Sequence, residues 1–231
     1  MEPEALCWLS LETKTAHLSE RSAEENRLII LAQDFIETGT GFGTPARPEL
    51  IAEDFVFRGP VIGPLCKKDY LHTLSVNKVY EAFPDLKSGA FGYTVDPAEP
   101  KRVWLFTRYS GTNTGDIHLG PLTLPATSKV ISGGAEVNSV LFDEHDKVKL
   151  LTVGYIADRD PPFNATNQGA GALVGLLNAC GINLPSSPVF KLIQYVSGFI
   201  PNQIRSISVE EDIPEWYKNY VPKRRGAEGV Y

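Results

Sequence analysis

Few side chains in this 231-residue chain have the type and spacing for chemistry. Asp116 and His118 flank Ile117, and a histidine beside a carboxylate can be tuned as a base, although a loop histidine is more often solvated. Asp158 ends the run LLTVGYIAD; it can act as an acid/base or cap the strand end by accepting backbone amides. Tyr155, Asn138 and Arg108 carry groups able to polarise a ligand oxygen. Asn138 can orient such an oxygen by donating a hydrogen bond, but it cannot change protonation state. Trp104, Phe106 and Val153 supply apolar wall. His17, His72 and His145 lie in polar or helical contexts with no evident partner. Cys7, Cys66 and Cys180 show neither CxxC nor histidine spacing, so neither a disulfide framework nor a zinc site is indicated, and a reducing, intracellular compartment fits.

Three segments must position these groups. Residues 102 to 110, 135 to 142 and 147 to 156 are rich in Val, Leu, Phe, Thr and Tyr, contain no proline, and are separated by Gly-containing or charged turns. They predict an antiparallel meander. Alternation puts Asn138 on one face with Glu136, Val140 and Phe142, Val153 with Leu151 and Tyr155, and Arg108 with Trp104 and Phe106. With those faces inward, Asn138, Tyr155 and Arg108 converge in an apolar cavity. The alternative leaves Arg108 exposed or paired with Glu136, and makes Tyr155 a core aromatic.

A sheet of this kind needs a cover. Ser22-Ala23-Glu24-Glu25 is a capping box, and Leu28, Leu31, Ala32, Phe35 and Ile36 then form one apolar helical face that Gly39 is placed to end. A Gly/Pro loop follows to Pro48, then a helix end running into a strand at 50 to 58, short helices at 67 to 74 and 79 to 83, and a strand at 90 to 95. Beyond Asp158, apolar helices are predicted at 168 to 180 and 188 to 199, placed to close the barrel's open end or cover the sheet. The last thirty residues are expected to wrap the surface. GAGALVG, from Gly169, lacks both the GxGxxG spacing and a Walker lysine, and reads as close helix packing.

The composition, 42% hydrophobic and 22% charged, is that of an ordinary globular protein. A net charge of −6 argues against a nucleic-acid partner, since the only basic cluster is Lys223-Arg224-Arg225 near the end. No apolar run is long enough for a membrane span, and the first residues carry no basic start followed by an apolar stretch, although a transit peptide removed beforehand would leave no trace.

Phe83-Pro84-Asp85-Leu86, Gly111-Thr112-Asn113-Thr114-Gly115-Asp116 with Leu119-Gly120-Pro121, and the strand 148 to 158 resemble motifs of the SnoaL-like polyketide cyclase branch of the nuclear transport factor 2-like superfamily. The resemblance covers roughly residues 23 to 181. It implies a cone-shaped α+β barrel, at 22 to 181, in which a curved antiparallel sheet wraps a long first helix, followed by an extension at 182 to 231. It also implies a deep apolar pocket for a hydrophobic small molecule, no cofactor, and a homodimer formed through the outer sheet face. In the cyclases resembled, a histidine on the penultimate strand and an aspartate on the last form the acid/base pair. Strand alignment puts Asn138 and Val153 at those positions, which favours a binder over a cyclase. An enzyme of the cyclase, isomerase, dehydratase or epoxide-hydrolase type would rely instead on Asp158 or His118 with Tyr155, and a scaffold subunit is a further alternative.

Overall fold

The computed structural model describes residues 21–59, 62–119, 122–156, 172–181 and 207–220. Helix α1 (Ala23–Asp34) begins at the expected capping box, where Ser22 Oγ accepts from the Glu25 amide at 3.1 Å and Glu25 Oε2 accepts from the Ser22 amide at 2.7 Å. It buries Leu28, Ile29 and Ala32, then loosens into a π-helical turn, Phe35–Gly39, that keeps Phe35 and Ile36 in the core.

A six-stranded sheet lies against this helix, built from β1 (Ile51–Arg58), β2 (Leu65–Cys66), β3 (Phe91–Val95), β4 (Arg102–Thr107), β9 (Glu136–Phe142) and β10 (Val148–Ile156) in the order β2-β1-β10-β9-β4-β3. The meander β4-β9-β10 is antiparallel as expected. The sheet as a whole is mixed, because β1 runs parallel to β10. Helices α2 (Lys67–Asn77) and α3 (Val79–Ala82) follow β2. Between β4 and β9 the chain makes two small ribbons, β5 (Ser110–Thr112) with β8 (Val130–Ser132) and β6 (Ile117–Leu119) with β7 (Leu122–Leu124). The α+β class and the packing of the first helix on the sheet are therefore what the sequence predicts.

The inner face of the sheet buries Val103, Leu105, Val140, Phe142 and Leu151 against Leu28, Ala32 and Phe35 of α1. The outer face is also covered. Residues 207–220, ending in the short helix α5 (Glu215–Lys218), set Trp216, Tyr217 and Tyr220 on Val56, Leu141 and Leu150. Trp216 Nε1 donates to the Asp54 carbonyl at 2.9 Å, and Ser208 Oγ accepts from the Cys66 amide at 3.0 Å and donates to Asp69 Oδ2 at 2.5 Å. This strap occupies part of the face expected to carry a homodimer; Phe91 and Trp104 remain exposed beside it. Helix α4 (Ala172–Ala179) belongs to a second cluster with Val79, Phe83, Ile117 and Ile131, away from the strap. The second predicted helix, 188 to 199, lies outside the described residues.

The two loop motifs that carried the family resemblance brace one another. Asp85 Oδ1 accepts from the Thr112 amide at 2.7 Å and its Oδ2 from the Thr112 hydroxyl at 2.9 Å. The Thr114 and Gly115 amides both donate to the Ala82 carbonyl at 3.1 Å, and Asn113, fully buried, donates to Gly115 and Ala82 carbonyls while accepting from Thr127. Gly115 is required, since a Cβ there would lie 2.1 Å from the Glu81 carbonyl oxygen. The bonds from Thr112 hold the Asp85 carboxyl below its ordinary value of 3.8. A depressed carboxylate pKa contributes stability above the unfolded-state value and loses it as pH falls through the folded-state value. Asp85→Asn should therefore lose less stability than the unmodified chain between about pH 5 and about pH 2, as read by urea midpoints across that range.

Candidate functional site

The interior beside β4 and β9 is polar at one end. Cross-strand register places Leu105 opposite Asn138, Thr107 opposite Glu136 and Val103 opposite Val140, all facing α1. Asn138 is 2% exposed, Glu136 1% and Thr107 0%. Asn138 Nδ2 donates to Thr107 Oγ1 at 2.7 Å, and its Oδ1 has no hydrogen-bond partner among the described residues. The buried hydroxyl of Tyr93, from β3, is likewise without one. Thr73 Oγ1 and Asn77 Oδ1 of α2 are buried in the same unsatisfied way, so such atoms are not confined to this face.

A narrow cleft of about 50 Å³ is lined by Glu37, Thr40, Phe42, Leu86, Ser88 and Tyr109, and by none of Asn138, Glu136 and Tyr93. The π-helical turn ending α1 puts Glu37 at its exposed mouth, where Glu37 Oε1 accepts from Ser88 Oγ at 2.7 Å. Tyr109, in the cleft wall, senses the charges of both Glu136 and Glu37. Burial, then the negative charge of Glu136, raises its phenol above the ordinary range, with Glu37 and Tyr93 adding to the rise and contact with the Thr107 hydroxyl opposing it. Burial, then Glu37, pushes Tyr93 up to about 12. Both phenols therefore stay protonated at neutral pH and can donate. A larger cleft, about 430 Å³, lies between Glu53, Cys66, Lys67, Leu71 and Asp212 at the edge of the strap. Within its wall Lys67 pairs with Glu53 at 2.6 Å, and Lys68 adds a further charge. At the same edge Cys66, Asp69 and Asp212 bring metal-ligand atoms within 4.8 Å of one another, a grouping the cysteine spacing does not reveal, with Ser208 bonded to Asp69.

The residues named from sequence separate. Asn138 faces inward and stands opposite Val153 across β9 and β10. Trp104 and Phe106 do not join them: they pair with Ser139 and Val137, on the outer face, where Phe106 stacks on Phe91 at 5.5 Å. Arg108, just past β4, lies over the Phe91 ring at 5.7 Å. His118 sits in the β6-β7 ribbon with Nδ1 3.0 Å from Thr123 Oγ1, and Asp116 accepts from the Ala126 amide at 3.1 Å. Tyr155 contributes backbone to β10; its side chain, and Asp158 altogether, lie outside what is described. Sequence reasoning did not pick out Glu37, Tyr93, Tyr109 or Thr107. Glu136 was legible, since alternation already put it on the face of Asn138.

No family model matches the sequence, and no curated protein matches it. Among solved structures the chain is similar to a protein assigned to the SnoaL-like polyketide cyclases from Jannaschia sp. CCS1, at 15% identity and a TM-score of 0.49 over 73% of this chain and 99% of that one. It is also similar to an NTF2-like protein from Anabaena variabilis ATCC 29413, at 14% identity and a TM-score of 0.43 over 61% and 96%. A third similar structure is assigned to the polyketide cyclases of Xanthomonas campestris pv. campestris, at 16% identity and a TM-score of 0.42 over 58% and 93%. Among the described residues no helix is long and apolar enough to cross a membrane.

Proposed function

We propose that this chain is a SnoaL-like member of the nuclear transport factor 2-like superfamily that binds a small, largely apolar molecule by one polar group, without the proton shuttle of the cyclases it resembles. The observation that carries this is Asn138, a buried amide with one unsatisfied end, opposite Val153. An amide and an isopropyl group stand where the resemblance implies a histidine and an aspartate, and neither can exchange a proton near neutral pH. Leu105, Val140, Phe142 and Leu151 on that face are apolar, so affinity would come from burial, with Asn138 orienting the ligand next to Thr107 and Glu136.

Asn138→Ala should weaken binding of a bound ligand by about 1 to 2 kcal/mol, the range for losing one buried hydrogen bond, and should also lower the melting temperature because the bond to Thr107 is lost. Titration calorimetry on hits from a thermal-shift screen of polyketide-like, terpenoid-like and steroid-like compounds reads this directly. Unchanged affinity in the variant would remove Asn138 from the site. The second reading, a cofactor-independent acid/base enzyme, is favoured by Glu136, a carboxyl two residues from Asn138 on the same face. Scoring the same panel for turnover separates the two readings.

A further inference from the structure

We infer that Cys66, Asp69 and Asp212 hold a divalent transition-metal ion of the zinc class, which staples the strap to β2 and the start of α2, independently of what the interior binds. The thiol and the two carboxylates each bring one ligand atom to within 4.8 Å of the others. Two of them share one corner of the fold, since Cys66 ends β2 and Asp69 lies in the first turn of α2, and the third comes from the strap. Cys66 and Asp69 are each 8% exposed and Asp212 is exposed, so the ion sits at the strap's edge, reached from the cleft of about 430 Å³ that Cys66 and Asp212 both line. No CxxC or histidine spacing announces such a site, because its third ligand arrives from the far end of the chain.

Two observations point to a bound cation. The Cys66 sulfur is buried yet lacks a donor: Ser208 Oγ lies 3.6 Å away, but its single proton goes to Asp69 Oδ2 at 2.5 Å, and the sulfur has no other partner among the described residues. Neither Asp69 nor Asp212 has an ion-pair partner among the described residues. Lys67, in the same wall, turns its Nζ to Glu53 Oε1 at 2.6 Å and to the Ile51 carbonyl at 2.9 Å, and Lys68 pairs with neither carboxylate. The N-terminus of α2 offsets part of the charge on Asp69, but a second carboxylate remains beside it. A divalent ion answers both features. A thiolate with two carboxylates suits zinc better than magnesium or calcium, which take oxygen ligands alone, and three protein ligands leave a fourth position for water from the cleft. Rotation of exposed Asp212 supplies the closing of about an ångström that brings these atoms to a tetrahedral ion at about 2.0 to 2.3 Å. Ser208, whose hydroxyl already holds the Asp69 carboxylate, orients that ligand.

The test uses the full chain, freed of metal by a chelator and titrated with Zn2+, Co2+ and Mg2+. Zn2+ should bind stoichiometrically with a micromolar or tighter Kd and raise the melting temperature, whereas Mg2+ at the same concentration should do neither. Co2+ should give a thiolate-to-cobalt charge-transfer absorption, which Cys66→Ser should abolish and Cys7→Ser and Cys180→Ser should leave intact. Asp212→Asn, at an exposed position, should weaken Zn2+ at least about ten-fold while the metal-free melting temperature stays unchanged. Should Cys66→Ser fail to fold, Asp212→Asn still decides. Cobalt absorption that survives Cys66→Ser would overturn the site, as would Zn2+ affinity unchanged in Asp212→Asn. Mg2+ binding as tightly as Zn2+, or no stoichiometric Zn2+ binding at all, would overturn it too.

Discussion

Arg102→Met should lower unfolding free energy by about 3 kcal/mol, the lower end of the range for breaking one side of a buried ion pair. Arg102 is 4% exposed, at the start of β4 on the outer face. Its Nε donates to Glu99 Oε2 at 2.7 Å, one terminal nitrogen to Ser139 Oγ at 2.5 Å, and the other to the Tyr220 hydroxyl. Its guanidinium also lies 5.5 Å from the Trp104 ring centre and 5.8 Å from that of Tyr220. The residue therefore ties β4 and β9 to the strap in one group of bonds. Methionine keeps the stem's packing but leaves the Glu99 carboxylate, itself largely buried, with only the Tyr220 hydroxyl at 2.7 Å. Urea unfolding gives the measurement, and the double variant Arg102→Met, Glu99→Gln should recover more than half of the loss, because the stranded charge is then gone. A single-variant loss below about 1 kcal/mol would show that the pair behaves as an exposed one.

Gly154→Ala is expected to cost about 2 to 3 kcal/mol and to abolish ligand binding as well. Gly154 lies in β10 where the register with β9 shifts, between the pairs Val153–Asn138 and Ile156–Glu136. A Cβ at this position would fall 2.2 Å from the Val137 carbonyl oxygen and 3.3 Å from its carbon. The obstacle is backbone, so no rotamer change relieves it, and the strands must part or slip; overpacking of this kind typically costs 1 to 3 kcal/mol. A slip would carry Val153 and Asn138 out of opposition, and every side chain beyond would change face. The strain predicts loss of binding through a slipped register, whereas Asn138→Ala removes one hydrogen-bonding group and leaves the register in place. Wild-type urea midpoints and ligand affinity in Gly154→Ala would show that the shift in register has room the geometry does not suggest.

What the sequence determined by itself is local. Ser22 and Glu25 are three residues apart and can bond only to each other's backbone, so the start of α1 was legible without any neighbour. The same holds for the apolar stripe through Leu28, Ala32, Phe35 and Ile36, and for the three β segments, whose composition and turns mark them regardless of partner. Alternation also sorted each strand into two faces correctly, Asn138 with Glu136 and Trp104 with Phe106.

Only the tertiary structure decided which face of each strand looks inward. Period two separates faces but labels them only when one is polar. Here Leu141 and Leu150 on the outer face are as buried as Val140 and Leu151 on the inner, because Trp216, Tyr217 and Tyr220 arrive from some 60 to 170 residues away to cover them. With both faces apolar, Trp104 and Phe106 read as pocket wall when they are outer surface. The site depended on the same kind of distant contact. Glu37 meets Ser88 across 51 positions, Asn138 meets Thr107 across 31, and Tyr109 joins the two groups only because β4 and α1 pack around one core. The parallel pairing of β1 with β10 is likewise a long-range choice, since nothing local in either strand names its neighbour's direction.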